Sequence, residues 1–176
     1  MSTQLFYRGE YGPSISTISS YLPSVSFGSK RAAEHYATYP NRRGDAVCIP
    51  RVMIARLEIE RPVFDKPNDA FVDLDELEQL FDVSVVNELL IRHIDDISST
   101  GAWENLQAEQ ASDWLTVMQA LCCQMYRLLD DPYFIELCLA HGYDGAFYRG
   151  SGETLDEVEA RVFRTDQIDV IATYYL

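Results

Sequence analysis

The sequence predicts one α+β domain spanning residues 1–176, in which strands and helices are segregated along the chain. Three observations favour this fold class. The first third holds two strands around one helix, residues 66–141 carry mainly helical patterns, and the last part holds three strands in succession. Segregated blocks of this kind are typical of α+β architecture, and a length of 176 residues suits one domain better than two.

Each element of the first third has its own local signal. Residues 5–9 form an aromatic run that ends in glycine, which predicts a first strand. Residues 10–29 are rich in serine, glycine, proline and tyrosine, so we expect an irregular segment with short extended pieces. A helix begins after the N-cap Ser29. Apolar and polar residues then alternate over 47–60, which predicts a half-buried strand that ends at Pro62.

The middle of the chain is predicted to be a helical insert at about residues 66–141. Apolar residues recur at helical spacing over 74–81 and again over 85–94. The strongest helical stripe runs over 110–129, and Asp131 followed by proline begins a further helix that ends near residue 140. Three predicted strands close the chain, at residues 145–148, 158–163 and 168–175.

Charge is distributed unevenly along the chain, whose formal net charge is −14. Residues 1–62 hold eight basic and five acidic residues, a net charge of +3, and the remainder holds six basic and 23 acidic residues, a net charge of −17. Such a chain is a poor general nucleic-acid binder, since it would repel the phosphate backbone. The acidic part suits a basic protein partner or mimicry of a polyanion, whereas the basic first third suits an anionic ligand such as a pyrophosphate.

Targeting and metal-binding signals are not visible. No stretch approaches the roughly 18 apolar residues of a membrane span, and the N-terminus does not resemble a signal peptide. The four cysteines and three histidines lack metal-ligand spacing, so we expect no metal site and reduced, buried thiols. These features predict a cytoplasmic protein without membrane contact.

Three short motifs occur in order along the chain. They are FYRG at 6–9, SFGS at 26–29 before the predicted helix, and EVEARVF at 157–163 on a predicted strand. Together they resemble the arginine–serine–glutamate branch of the ADP-ribosyltransferase superfamily. Two supporting segments, RLEIERPVFD at 56–65 and the hairpin of 142–148 with 162–168, are similar to the same family. The second motif departs from the usual family pattern because Gly28 follows Phe27, and the insert is not covered.

The resemblance implies a fold of split β-sheets flanked by helices and an activity that consumes NAD⁺ as co-substrate. Small ADP-ribosyltransferases of phages and mobile elements, including one anti-CRISPR type, are similar in size and in the closing hairpin. The function implied is mono-ADP-ribosylation of a protein side chain, to inactivate a host or defence protein as a toxin or effector does.

The family motifs assign roles to seven residues. Glu159 is the implied catalytic carboxylate, which stabilises the positive charge that grows on the ribose as nicotinamide leaves. Because alternate residues of a strand share a face, Glu157 and Glu159 are expected to line one cleft, with Glu157 orienting or deprotonating the acceptor. A glutamate at that position accompanies arginine acceptors in the family. The other five implied site residues bind NAD⁺ or support Glu159, and they are Arg8, Gly9, Ser26, Phe27 and Tyr36.

Physical reasons support these assignments, and competing interpretations remain. Arginine is suited to phosphate because its planar guanidinium donates two hydrogen bonds at once, and Gly9 would let the backbone approach the nicotinamide amide. Phe27 and Tyr36 fit nicotinamide packing and core packing equally well. One alternative function is a non-enzymatic acidic inhibitor that mimics a polyanion. Another is an NAD⁺ glycohydrolase on the same fold, with water as the acceptor.

Overall fold

A computed structural model describes residues 4–12, 22–38, 49–98 and 122–176 of the chain. These residues form a mixed α+β structure, which confirms the predicted fold class at that level. The strands are β1 (Phe6–Gly12), β2 (Val25–Phe27), β3 (Ile49–Leu57), β4 (Pro62–Lys66), β5 (Phe71–Asp73), β6 (Cys122–Gln124), β7 (Gly145–Arg149), β8 (Val158–Val162) and β9 (Ile168–Tyr175). The α-helices are α1 (Lys30–Thr38), α2 (Leu74–Leu80), α3 (Val83–Arg92), α4 (Ile94–Ser98), α5 (Met125–Leu129) and α6 (Pro132–Ala140).

The first sheet has the order β1-β3-β9, and all its pairs are antiparallel. Helix α1 packs across one face, where Ala33 and Ala37 cover Val52. The helix comes so close to β1 that a Cβ on Gly9 would lie 2.0 Å from the carbonyl oxygen of Ala33. Glycine is therefore required at this position by the approach of helix and strand.

The second sheet has the order β2-β8-β7-β4, antiparallel except for the parallel pair of β4 and β7. Its apolar face meets the first sheet in a core built from residues of both. Phe6 from β1 stacks on Phe147 from β7 there, with ring centroids 6.1 Å apart. The two sheets also join edge to edge at Tyr7 and Gly28, which exchange two backbone hydrogen bonds of 3.0 and 2.8 Å.

The predicted insert packs on the second sheet through a larger core. Phe134, Leu77 and Leu89 from its helices are buried in the same apolar cluster as Tyr148 of β7. The insert also contains a small antiparallel sheet of β5 and β6, which the sequence analysis did not predict. Among the described residues, no helix combines the length and apolar character needed to cross a membrane.

Two predictions about element boundaries are wrong. Pro62 does not simply end a strand but begins β4, a position where the ladder needs no proline N–H. The helix expected over 110–129 does not include Cys122–Gln124, which is strand β6, and only Met125–Leu129 of its end is helical. The rest of that predicted helix lies outside the described residues. Short apolar runs fit a strand and a helix equally well, so the long-range pairing with β5 decides the outcome.

Two helix-capping signals and the three closing strands are confirmed, whereas residues 13–21 of the segment predicted to be irregular lie outside the described residues. Ser29 Oγ accepts a hydrogen bond of 3.0 Å from the N–H of Ala32, as an N-cap of α1 should. Asp131 caps α6 in the same way, accepting from the N–H of Tyr133 at 3.0 Å, with Pro132 at the first turn. The three closing strands lie within a residue or two of their predicted bounds.

Candidate functional site

An open cleft of about 710 Å³ lies between β1, β2, α1 and β8. It is closed on one side by the loop 151–154 that joins β7 to β8. Six of the seven residues implied by the family resemblance line it, namely Arg8, Gly9, Ser26, Phe27, Tyr36 and Glu159. These residues come from widely separated parts of the chain, so the fold brings together the set that the sequence motifs single out.

Glu159 lies on β8 and is buried, with 4% of its surface exposed. Ser26 Oγ on the neighbouring strand donates a hydrogen bond of 2.8 Å to Glu159 Oε1. The Nε of Arg161 donates to the same oxygen at 2.6 Å. The other oxygen, Oε2, lies 3.1 Å from the position that a Cβ on Gly150 would take. Hydrogen bonds from Ser26 and Arg161 therefore hold the carboxylate through one oxygen, and the second lies beside Gly150, the residue before the loop 151–154 that lines the cleft.

Arg161 is a site residue that the sequence analysis missed. Its Nη1 donates to Asp130 Oδ1 at 2.8 Å and to Ser24 Oγ at 3.2 Å, and 5% of the residue is exposed. Ser24 Oγ in turn donates to the carbonyl oxygen of Leu129 at 2.8 Å. The guanidinium thus connects β8 to the end of α5 as well as to Glu159.

Burial and neighbouring charges together set the pKa values of Arg161 and Asp130. Burial alone would lower the pKa of Arg161, but the nearby Glu159, Tyr148 and Asp130 outweigh it and raise that pKa, so the guanidinium stays charged. Burial raises the pKa of Asp130, and Arg161 partly offsets this effect. With all three groups ionised, Glu159, Arg161 and Asp130 carry one net negative charge beside the cleft.

Tyr148 lies opposite Glu159 on β7 and is fully buried. Burial raises the pKa of its hydroxyl, and the negative charge of Glu159 raises it further. The hydroxyl makes no hydrogen bond of good geometry to any described residue. Tyr148 therefore stays neutral beside Glu159 and Arg161.

The guanidinium of Arg8 makes one contact with Ser26 and another with Glu10. Its Nη1 donates to the Ser26 carbonyl oxygen at 2.9 Å, and its Nε donates to Glu10 Oε1 at 2.9 Å. Glu10 also accepts from Arg51 at 2.7 and 3.2 Å through its second oxygen. Two guanidinium groups share one carboxylate, and of the two Arg8 lines this end of the cleft, where its guanidinium suits an anionic ligand.

Gly9 lies where the two sheets separate. In an antiparallel pair, residues two apart direct their N–H and C=O groups to the same side. Tyr7 exchanges both of its bonds with Gly28, so Gly9 points its backbone groups in the same direction, opposite Ser26. The bridge does not continue past Tyr7, and the cleft opens at this point. Gly9 thus presents one donor and one acceptor to the cleft in addition to its packing role under α1.

The two aromatic candidates have different environments. The side chain of Phe27 belongs to the core between the sheets, where 1% of the residue is exposed. Core packing is therefore the interpretation that holds for Phe27, and its backbone borders the cleft. Tyr36 on α1 is 40% exposed and lines the cleft.

Glu157 does not share the cleft with Glu159. It precedes β8 and lines a neighbouring pocket of about 780 Å³, which meets the cleft at Tyr7 and Gly28. Ser29 Oγ donates a hydrogen bond to Glu157, and Arg31 binds it through Nε at 2.6 Å and Nη2 at 2.5 Å. The bond from Ser29, assisted by Arg31, lowers the pKa of Glu157. The expectation that both glutamates line one cleft is corrected, because residue 157 lies outside the regular strand and turns toward the N-terminus of α1.

Metal-ligating side chains do not cluster in the part of the chain that the structure describes. No group of three or more histidine, cysteine, aspartate or glutamate residues is arranged there to hold a metal ion. Cys123 and Cys138 are buried free thiols, and burial raises the pKa of Cys138 above its usual range.

Comparison with known protein families, with curated proteins and with solved structures finds no match to this chain. The site is therefore interpreted from its own geometry and chemistry.

Proposed function

We propose that the chain is an NAD⁺-dependent mono-ADP-ribosyltransferase with Glu159 as its catalytic carboxylate. The observation that carries this proposal is the convergence of Arg8, Ser26 and Glu159. Ser26 binds Glu159 through its hydroxyl and Arg8 through its carbonyl oxygen, although 133 residues separate Ser26 from Glu159. Two β-sheets packed face to face, with α1 outside the first, also suit the split-sheet fold implied by the resemblance.

The cleft has the donors that NAD⁺ requires. Its volume of about 710 Å³ lies in the usual range for small-molecule sites. Arg8, which lines the cleft, would bind the pyrophosphate, and the backbone donor and acceptor of Gly9 match the carboxamide of nicotinamide. Tyr36 is exposed at the same cleft and offers its ring to the nicotinamide.

Glu159 supplies the chemical step in this proposal. NAD⁺ contributes a glycosidic bond whose cleavage places positive charge on the ribose and releases neutral nicotinamide. Glu159 Oε2 would accept the ribose 2′-hydroxyl hydrogen bond, and its negative charge stabilises the developing cation. Because Ser26 and Arg161 already hold Oε1, the carboxylate need not reorient as the charge develops.

The acceptor in this proposal is a protein side chain in the cytoplasm of the producing or host cell. Arginine as the acceptor type follows from the family resemblance, in which a glutamate at the position of Glu157 accompanies arginine acceptors. The partner would be a host or defence protein that the modification inactivates.

Labelling a host lysate tests the proposal. NAD⁺ labelled on its adenosine part is incubated with the protein and the lysate, and free nicotinamide is measured in the same samples. We expect one or a few labelled protein bands, lost in a Glu159→Gln variant that still unfolds cooperatively as a folded protein does. Absence of labelling, of nicotinamide release and of any thermal shift with NAD⁺ would refute the proposal.

NAD⁺ glycohydrolase activity is the second candidate, and one observation favours it. Arg31 already occupies Glu157, the carboxylate assigned to orient an acceptor. Water would then reach the ribose in place of a protein nucleophile. Free ADP-ribose as the main product, with nicotinamide release unaffected by added lysate, would support hydrolysis over transfer.

A further inference from the structure

We infer that Arg161 is a positioning residue for the proposed reaction, holding Glu159 by Oε1 so that Oε2 is directed to the cleft. This inference rests on the proposed function. It gives a role to a residue that lies within the third motif but to which the resemblance assigns none, and it links the helical insert to the catalytic carboxylate.

The geometry around Arg161 supports a specific orientation. Its Nε donates to Glu159 at 2.6 Å, while its Nη1 donates to Asp130 at 2.8 Å and to Ser24 at 3.2 Å. The Nε and Nη1 atoms belong to one rigid plane, so partners on β8 and after α5 fix the rotation of the guanidinium. That fixed plane then determines how the Glu159 carboxylate is turned.

Burial explains why a cation is needed here. The side chains of Glu159 and Arg161 are 5% and 6% exposed. A buried carboxylate without an opposite charge favours its neutral form, which would have no negative charge to offer a developing cation. Arg161 therefore supplies the opposite charge that a carboxylate buried at this position needs.

Asp130 offsets an unfavourable effect of the positive charge on Arg161. A positive charge 2.6 Å from Glu159 would cancel much of its field at the ribose. Asp130 binds the far side of the guanidinium at 2.8 Å, which restores one net negative charge to the cluster. The insert thus contributes through Asp130 to the electrostatics of the cleft.

A purely structural ion pair is the competing explanation, and Arg161→Lys separates the two. Lysine keeps the positive charge but carries a single nitrogen, which cannot bind Glu159, Asp130 and Ser24 in one plane. A structural role predicts a lower thermal midpoint with normal catalysis by the folded fraction. A positioning role predicts a loss in kcat.

The experiment measures nicotinamide release from NAD⁺ by the full chain and by its variants across a range of pH. We expect Arg161→Lys to lower kcat about 10- to 100-fold with KM for NAD⁺ within about threefold. In Arg161→Met the acid limb of the rate profile should move to higher pH. Among the described residues, the groups that then face Glu159 are Ser26 on β2, Tyr148 on β7 and Asp130 after α5, with Arg8 on β1 lining the same cleft and Arg127 on α5 acting on Asp130.

Lys66→Met is the matched control. Lys66 also binds two carboxylates, Glu76 at 2.7 Å and Asp69 at 2.9 Å, but it does not line the cleft. We expect this variant to unfold at lower temperature and to keep kcat and the pH profile. If Arg161→Met does not fold, Arg161→Lys still decides the question through kcat.

Two results would overturn the inference. One is a folded Arg161→Lys whose kcat stays within about threefold of the wild-type value. The other is a loss in kcat that Lys66→Met reproduces at an equal loss of thermal stability. If the wild-type protein cleaves NAD⁺ and the Arg161 variants are fully active, only the role of Arg161 is rejected. If the wild-type protein releases no nicotinamide, the proposed function itself is rejected.

Discussion

Replacing Glu159 by glutamine removes one negative charge from the cleft and leaves the side-chain size almost unchanged. The amide oxygen of glutamine still accepts from Ser26 and Arg161, which now donate at 2.8 and 2.6 Å. Arg161 also keeps Asp130 as a charged partner. We therefore expect the variant to fold, with a stability loss of about 1–3 kcal/mol from the weaker hydrogen bond of a charged donor.

The expected loss of activity follows from Coulomb's law. A carboxylate about 4 Å from a unit positive charge, at an effective dielectric constant of about 20, stabilises it by about 4 kcal/mol. The buried position of Glu159 makes that dielectric appropriate. Because about 1.4 kcal/mol changes a rate tenfold, loss of this term should slow NAD⁺ cleavage about 1000-fold.

The assay is steady-state release of nicotinamide, with thermal unfolding of each variant measured in parallel. Glu136→Gln makes the same chemical change on the exposed surface of α6 and serves as the control. A Glu159→Gln protein that is folded and as active as Glu136→Gln would refute the assignment of Glu159. A polyanion mimic would tolerate both substitutions equally, so a retained inhibitory effect on a basic partner would favour that alternative.

Three further predictions concern other parts of the fold and site. Gly9→Ala would place a methyl group 2.0 Å from a carbonyl oxygen of α1, so the thermal midpoint should fall by more than about 5 °C, and an unchanged midpoint would contradict that packing. Burial opposes ionisation of Asp131, but hydrogen bonds from Arg92 and the α6 backbone outweigh it and lower its pKa. Because the pKa of Asp131 is lower in the folded chain than in the unfolded chain, its ionised form stabilises the fold above the unfolded-state pKa, and this stabilisation is lost as the pH falls. Asp131→Asn should therefore lower the free energy of unfolding by about 2 kcal/mol at neutral pH and by less below about pH 4. Urea unfolding at several pH values measures this difference. Arg31→Ala frees Glu157, so transfer to a guanidino acceptor peptide, followed by mass spectrometry, should rise several-fold, and a fall would mean that Arg31 helps to bind the acceptor.

The elements that were predicted correctly have signals contained within a few residues. Ser29 begins α1 because its hydroxyl satisfies a free backbone N–H, and Asp131 does the same for α6. Both caps act over two or three positions, so the sequence alone is enough to locate them. The closing strand β9 was likewise marked by a sustained run of strand-forming residues.

The elements that were missed depend on partners far away in the sequence. Strands β5 and β6 have three residues each and are stabilised by pairing with one another across about 50 residues of chain. Strand β4 pairs in parallel with β7, more than 80 positions later. Such short segments have no periodicity of their own, so tertiary pairing decides their conformation.

The site shows the same division between local and long-range information. Strand alternation placed Glu157 and Glu159 on one face, yet the regular strand begins only at Val158, and Glu157 is drawn to the N-terminus of α1 by Ser29 and Arg31. The same alternation, continued two residues in the other direction, places Arg161 beside Glu159.

Strand alternation between Glu159 and Arg161 is informative because both residues lie in the buried part of β8. Residues 159–162 are all buried, so a glutamate and an arginine two positions apart there must neutralise each other inside the protein. A Glu-x-Arg sequence between apolar residues of a strand is therefore a signal for a buried pair that the sequence already carried. What the sequence could not supply was Asp130, which comes from the helical insert and turns this pair into a cluster with net negative charge. If catalysis depends on that net charge, then the insert, which the family motifs do not cover, is part of the active site's electrostatics as well as of its support.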